Sequence, residues 1–432
     1  MVACAVAGLP GQALAVVPSA PYSSPYGLPY GSPRGYAFAP DALAVPAATG
    51  TADAALLVPG RTFRSTLRSG AKAYFRLELG ASENAYVSVT AVPHAGATLS
   101  PLDRFKVSLQ DADGEPCTLS PDSAAFGAAR SPRPVAVWGL REVAPDSSRC
   151  QGEGTYYAVV ERTATAESAS DVWDLELAPV TEPGLTSAED SGAPDDWDSA
   201  SPEPPTGQAG RRAGGEGFAS AATIGRGVWS TEIAPGRTLF YKVPVGWGQQ
   251  LSATAELAGA TPLDGSGFSV SALNLDLYNP ARGPVAGEAT SYAGRQRSAA
   301  LDPLPPVDHA NRHAAAGAVS AMRFAGAYYL VVHLAAQVAD DFGDGPFGLT
   351  LRVGIEGAAG EGPAYAGDAV PEGVFDASVG GSGPVSGGGG EDGAGRDPAM
   401  TALAVSGIGG GTLLLAGLGV WSAAARRRGV SA

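Results

Sequence analysis

The chain has 432 residues, enough for two or three domains of ordinary size. Its 60 glycines and 35 prolines exceed a fifth of the total, against about 12% in an average protein, so long linkers are expected beside folded modules. A formal net charge of −15 with only 28 lysines and arginines excludes nucleic acid as a partner, because phosphate binding needs clustered cations. The abundance of Ala and Gly has the skew of a GC-rich bacterial genome.

Residues 1–15, MVACAVAGLPGQALA, form an apolar stretch closing on Ala13-Leu14-Ala15. That ending is the small-x-small pattern of a secretory cleavage site, and the basic n-region is missing, so a truncated signal peptide is expected. Residues 16–57 are rich in Pro, Tyr, Ser and Ala. Pro21, Pro25 and Pro29 forbid a regular helix, which leaves a disordered or polyproline-like arm. Tyr22, Tyr26 and Tyr30 offer a second reading of that arm, as contacts for a wall polymer.

The interior repeats itself. Gly70 to Gly80, GAKAYFRLELG, is answered by Gly236 to Gly246, GRTLFYKVPVG; in both, two aromatics precede a basic residue and an aliphatic alternation. Period-2 strands are predicted next at 86–90 and 251–255. FKVSLQDADG from Phe105 matches LNLDLYNP from Leu273, each a strand running into a turn. GTYYAVV from Gly154 matches GAYYLVV from Gly326, and final strands follow at 173–177 and 347–351. Alternating strands without helical periodicity imply a mainly β protein with two tandem antiparallel β-sandwich domains, at 58–180 and 222–356. Residues 181–221, acidic and lacking periodicity, are expected as a disordered linker. Residues 357–398, with Gly387 to Gly390, are expected as a Gly-rich stalk.

Of three cysteines, Cys4 lies in the N-terminal apolar stretch, leaving Cys117 and Cys150 for the mature protein. One even pair in an exported chain reads as a disulfide; a metal or redox site would want CxxC spacing or a nearby His. Copy two carries Met322 where copy one has Cys150, so the bridge belongs to one copy and is structural. Asp111, Asp113 and Glu115 are weak calcium candidates, since a hard cation wants several oxygens, and their DADG setting equally suits a turn. Asp340, Asp341 and Asp344 form a second weak cluster. His309 and His313 have the i, i+4 spacing of a zinc helix without the Glu of HExxH. No catalytic residue and no cofactor is assigned.

Residues 399–425 contain no charge and are long enough to cross a bilayer as one helix. Arg426, Arg427 and Arg428 follow and orient it, because positive residues stay cytoplasmic; residues 426–432 form a basic tail. The cytoplasmic membrane is therefore an expected partner through one helix, with the N-terminal bulk outside. Gly407 and Gly411 make a GxxxG that could pair helices. No LPxTG-like motif precedes the span, so retention in the membrane is expected rather than transfer to the wall.

The order of the opening YFRLEL, the VSV strand, FKVSLQDADG and GTYYAVV resembles the bacterial pre-peptidase C-terminal domain, over residues 58–180 and 222–356. The resemblance implies a jelly-roll-like sandwich and an accessory module for adhesion, substrate approach or stability. The segment YKVPVGWGQ from Tyr241 is similar to one in actinobacterial exported proteins. The resulting expectation is a non-enzymatic cell-surface protein binding an envelope protein or wall polymer. The alternative is an accessory subunit of a membrane-associated protease or export assembly.

Overall fold

The computed structural model describes residues 35–97, 99–126, 131–144, 147–163, 172–187 and 196–380. In chain order, the first copy contributes β1 (Leu43–Ala44), β2 (Ala55–Leu56), β3 (Phe63–Leu67), β4 (Lys72–Leu79) and β5 (Asn84–Val92), followed by β6 (Arg104–Gln110), β7 (Asp122–Ala125), β8 (Val135–Arg141), β9 (Gly154–Thr163) and β10 (Trp173–Glu182). These form two five-stranded sheets, β1-β3-β10-β5-β8 and β2-β4-β9-β6-β7. The second copy contributes β11 (Gly210–Arg211), β12 (Ala222–Thr223), β13 (Gly227–Ile233), β14 (Thr238–Val245) and β15 (Gln250–Leu257). It continues with β16 (Ser269–Tyr278), β17 (Pro284–Tyr292), β18 (Arg297–Ala300), β19 (Gly326–Leu334) and β20 (Phe347–Glu356). Its sheets are β11-β13-β20-β15-β18 and β12-β14-β19-β16-β17, the same order strand for strand.

The duplication extends to register. Leu177 lies between Phe63 and Val89, and Leu351 lies between Trp229 and Ala255. The turn after the opening strand also repeats: Gly80 donates its amide to Glu83 at 2.8 Å, and Gly246 donates to Gln249 at 2.8 Å. In the closing strand, Tyr156 donates to the Gly152 carbonyl at 2.9 Å, and Tyr328 to that of Phe324 at 2.8 Å.

Each sandwich fills its interior with inward residues of both sheets. Phe63, Phe75, Phe105 and Trp173 sit in the first core, and Tyr241, Leu275, Tyr328 and Leu351 in the second. β15 alternates buried and half-buried residues, as an outer strand should. β5 and β10 do not alternate; nearly every residue of both is buried. Their outward residues Tyr86, Val92 and Val180, with Ala136 and Trp138 of β8, pack against Phe240, Tyr278, Phe324 and Val331 of the second copy. The β1-β3-β10-β5-β8 sheet therefore lies face to face with the β12-β14-β19-β16-β17 sheet, making four layers.

Several stretches expected as linker are folded. Within the arm expected at 16–57, residues 43–44 and 55–56 add short parallel strands to the two sheets, and Tyr36 is buried between the sandwiches. Within the linker expected at 181–221, Thr181 and Glu182 close β10, residues 210–211 form β11, and Phe218 and Ala221 are buried. Within the stalk expected at 357–398, Val370 bridges Thr181, Tyr365 bridges Leu185, and Phe375 stacks on Phe324 at 4.4 Å. The physical reason is shared. Each stretch sets a buried aromatic anchor among Pro, Gly and Ala, Tyr36 in the arm, Phe218 in the linker and Phe375 in the stalk, and these find apolar partners supplied by distant chain.

Cys117 and Cys150 are bonded, with Cα atoms 5.2 Å apart. The bridge ties the β6–β7 connection to the loop before β9, where Arg141 also donates to the carbonyls of Cys150 at 2.8 Å and Gly152 at 2.6 Å. Met322 holds the matching buried place in copy two. The closed loop spans a separation of 33 residues, and a C117A/C150A variant is expected to lose about 3–4 kcal/mol on the chain-entropy account, measured by urea unfolding beside the oxidised parent.

The predicted signal peptide, Tyr22, Tyr26, Tyr30, Gly387 to Gly390, the 399–425 span, Gly407, Gly411 and Arg426 to Arg428 lie outside the described residues. Among the described residues no helix is long and apolar enough to cross a membrane.

Candidate functional site

The charged chemistry of the described residues concentrates in the seam between the sandwiches. Two outward residues of β10 anchor it. The Glu176 side chain is fully buried and pairs with Arg282 of the second copy at 2.8 Å. It also accepts from the Tyr36 hydroxyl at 2.8 Å and the Ala39 amide at 2.9 Å. Six residues on, Glu182 is likewise fully buried and pairs with Arg312 at 2.8 Å. It accepts from Asn84 and Tyr86 of its own sandwich and from Tyr365 of the C-terminal segment, each at 2.8 Å.

Burial opposes the charge of Glu182. Hydrogen bonds from His309, Arg312 and Asn84, with the Arg312 charge, outweigh it and hold the carboxyl far below the usual carboxylate range. Two further pairs cross the seam in opposite senses, Arg323 with Glu142 and Arg133 with Asp276. Each glutamate of β10 thus joins three things: its own sandwich, the other sandwich and one terminal segment.

A serine, a histidine and a threonine also meet there. His333 Nε2 lies 2.9 Å from Ser131 Oγ, and its Nδ1 lies 3.0 Å from Thr238 Oγ1. The spacing matches a nucleophile and base, but a hydroxyl stands where a carboxylate would orient the imidazole. Ser131 Oγ also accepts the Ala336 amide at 3.0 Å, and both Ser131 and His333 are buried. Burial, with the nearby Arg133 charge, pushes His333 down to about 3. It is neutral in the folded chain at neutral pH and serves as a structural bridge. A cavity of about 20 Å³ lined by Tyr36, Arg133 and Thr238 lies beside it, room for a single water.

His333 carries a pH dependence whose sign is fixed. It takes up a proton near 6.5 in the unfolded chain and near 3 in the folded one, so the unfolded state binds the proton first as pH falls. Stability present above 6.5 is lost progressively down to the folded value. From pH 7 to pH 5 the loss from this group is expected to be about 2 kcal/mol. An H333Q variant should show a flatter dependence over that interval in urea unfolding.

The residues singled out by sequence have other places. Asp111 Oδ1 accepts the amides of Asp113 at 3.1 Å and Glu115 at 2.9 Å, a local turn. Asp341 Oδ2 accepts the Phe268 amide at 2.9 Å and pins the loop before β16. His309 to His313 form a 3-10 turn; His309 is buried beside Glu182, with Nε2 3.7 Å from Oε1. Among the described residues no three His, Cys, Asp or Glu side chains are placed to hold a metal ion. The structure brings His309 and Arg312 to the seam, and puts Asp111, Asp113 and Glu115 in the turn after β6 and Asp340 and Asp341 in the short helix Val338–Phe342.

No family model matches the chain, and no curated protein matches it. Among solved structures, the CBM22-1-CBM22-2 tandem domain of Paenibacillus barcinonensis Xyn10C is similar at 14% identity, covering 66% of this chain and 82% of that one, with a TM-score of 0.17. The exported protein XepA of PBSX is similar at 12% identity, covering 67% and 84%, with a TM-score of 0.18. The CUB1-EGF-CUB2 domain of human MASP-1/3 is similar at 8% identity, covering 67% and 99%, with a TM-score of 0.17. At these scores the likenesses carry no argument. The fold rests on the sheets themselves, and the resemblance to the pre-peptidase C-terminal domain goes no further than a β-sandwich.

Proposed function

We propose that the chain is a non-enzymatic surface protein that displays a fused pair of β-sandwiches outside the cell, held at the cytoplasmic membrane by residues 399–425, to bind an envelope protein or wall polymer. The observation that carries this reading is the seam: the titratable groups that could have formed a reaction centre are bound into contacts joining the sandwiches and terminal segments. What is left for recognition is the outer surface. The Cys117–Cys150 bond fits an oxidising compartment, and the apolar span followed by Arg426, Arg427 and Arg428 supplies anchor and orientation.

Protease shaving of intact cells tests it. Fragments from residues 60–355 should be released from intact cells. If this region survives shaving and becomes cleavable only after lysis, the display reading is overturned. The seam favours this reading over an accessory subunit of a protease or export assembly only in leaving the body self-contained. Co-purification with one stoichiometric envelope protease would favour the accessory role.

A further inference from the structure

The two copies treat one sheet face in opposite ways. In the first copy, Tyr86 and Val180 stand opposite each other on the outer face of the β1-β3-β10-β5-β8 sheet and fill the seam. Their counterparts in register, on the outer face of the β11-β13-β20-β15-β18 sheet, are Ser252 and Gly354. Both large side chains are trimmed away there. One step along the ladder, Arg352 stands where the first copy has Ala178. The result is a shallow trough across β15 and β20 with a guanidinium at its side.

The trough is filled by the chain's own connecting segment, residues 198–206, DSASPEPPT. Pro202, Pro204 and Pro205 fix φ and push the residues before them toward extension, so this segment is extended before it binds. The Pro205 ring lies over Gly354, where a side-chain carbon would sit 3.9 Å from it, and Gly354 is buried although it is on an outer face. A sheet face has no free backbone groups to offer, so side chains meet the carbonyls of the segment. Arg352 donates to the Pro205 carbonyl at 2.8 Å, and Gln250 to the Asp198 carbonyl at 3.2 Å. A polyproline-type segment has no internal hydrogen bonds to satisfy those carbonyls and loses little entropy on ordering, which suits it to such a site.

The segment is held lightly and the trough firmly. Among the described residues no backbone–backbone hydrogen bond reaches 198–206. Pro202 and Pro205 are half-buried, and the other residues of the segment are exposed. Few buried contacts mark a stretch that opens at low free energy. The donors, by contrast, have second anchors. Glu256 accepts from Arg352 Nε at 2.8 Å and from its Nη2 at 3.2 Å. Gln250 also donates to the Leu304 carbonyl at 2.7 Å. Both donors keep these anchors when the segment leaves, so the site is preorganised.

We propose that the trough formed by Gln250, Ser252, Arg352 and Gly354 is a binding site for an extended proline-rich segment of another protein, and that residues 198–206 occupy it in cis as a displaceable competitor. The ligand class is read from the occupant itself: a proline ring over Gly354 and two carbonyls met by Arg352 and Gln250. The proposal goes beyond the display reading and does not depend on where the chain is anchored.

The test uses the full chain in mild detergent and a fluorescein-labelled peptide of residues 196–207, DWDSASPEPPTG, with binding read by anisotropy. In the opened variant P202G/P204G/P205G the competitor loses its ring contact and its pre-extension. It should bind the peptide roughly tenfold or more tighter than the parent, because a site closed in cis has its affinity cut by the fraction open. The same peptide with glycine at its three proline positions should not bind. In the opened variant, Gly354→Val restores the side chain of the first copy and should weaken binding by roughly tenfold or more. E256A/R352A removes the carbonyl donor together with its counter-ion, away from the packing of Gly354. It should weaken binding similarly, with the circular dichroism spectrum and melting midpoint at the values of the opened variant. Equal affinity of parent and opened variant, equal affinity for the glycine peptide, or unchanged affinity in E256A/R352A overturns the proposal. Dimerisation of the opened variant without peptide uptake also overturns it, since the occupant would then be a second copy. None of these outcomes bears on display, which protease shaving decides.

Discussion

An E182A variant is expected to lose about 3–5 kcal/mol of unfolding free energy, the cost of leaving one partner of a buried ion pair uncompensated. Glu182 is fully buried and Arg312 nearly so, and truncation would strip Arg312 of its carboxylate. It would also leave the Tyr86 and Tyr365 hydroxyls and the Asn84 amide without their acceptor. Burial works against ionisation of Glu182, so the bonds it receives must exceed that cost for the carboxyl to be held as low as it is. The companion variant E182M/R312M removes both charges together, and it should recover part of the loss because no orphaned charge remains. What it fails to recover measures the hydroxyl and amide contacts. Urea unfolding of the three proteins at pH 7 reads all of this, and a loss below about 1 kcal/mol in E182A would show the seam to be solvated in solution. The linkage has one sign: as pH falls through the ordinary carboxylate range the unfolded chain protonates Glu182 first, so its contribution starts to decline there and goes on declining as the pH drops toward the lower value of the folded chain.

The strands were legible because their cores obey the period-2 rule. YFRLEL, TYYAVV and WDLEL place their inward residues on alternate positions, and so do their counterparts around Tyr241, Tyr328 and Leu351. The duplication was legible for the same reason, since packing residues repeat with the fold. The seam was hidden because its chemistry imitates a solvent face. Glu176 and Glu182 alternate with Leu175, Leu177 and Thr181, and Ser88 and Thr90 alternate with Val87 and Val89, which is what a half-exposed strand looks like. Tyr86, Val92, Ala136, Trp138 and Val180, apolar groups on the supposed wet side, pointed to a covering partner. The short edge strands β1, β2, β11 and β12 were hidden by length, since two residues carry no period. His309 drew attention for a spacing that has no part in its role; its neighbour Arg312 matters because the 3-10 turn delivers it to Glu182.

The apolar half of the seam makes the second large prediction. Phe324 is fully buried, stacked on Phe375 at 4.4 Å and edge-on to Tyr86 at 5.1 Å and Trp138 at 6.4 Å. It touches the first sandwich and the C-terminal segment at once, so Phe324→Ala opens a cavity where three parts of the chain meet. The expected cost is about 3–5 kcal/mol, the transfer of the ring plus the void it leaves. Gly283 offers an independent probe from the opposite sense. A methyl group there would sit 2.4 Å from the Trp138 ring, so G283A should force that indole off its stack on Tyr86 and destabilise by overpacking. If the seam is continuous, the parent unfolds in one transition, because neither sandwich can release its outer sheet without exposing the other. Phe324→Ala should lower that midpoint and, where the loss exceeds what the seam contributes, split it into two transitions detectable by calorimetry. A parent that already unfolds in two steps, with Phe324→Ala shifting only one of them, would mean that the sandwiches fold independently and that the seam is a contact rather than a core.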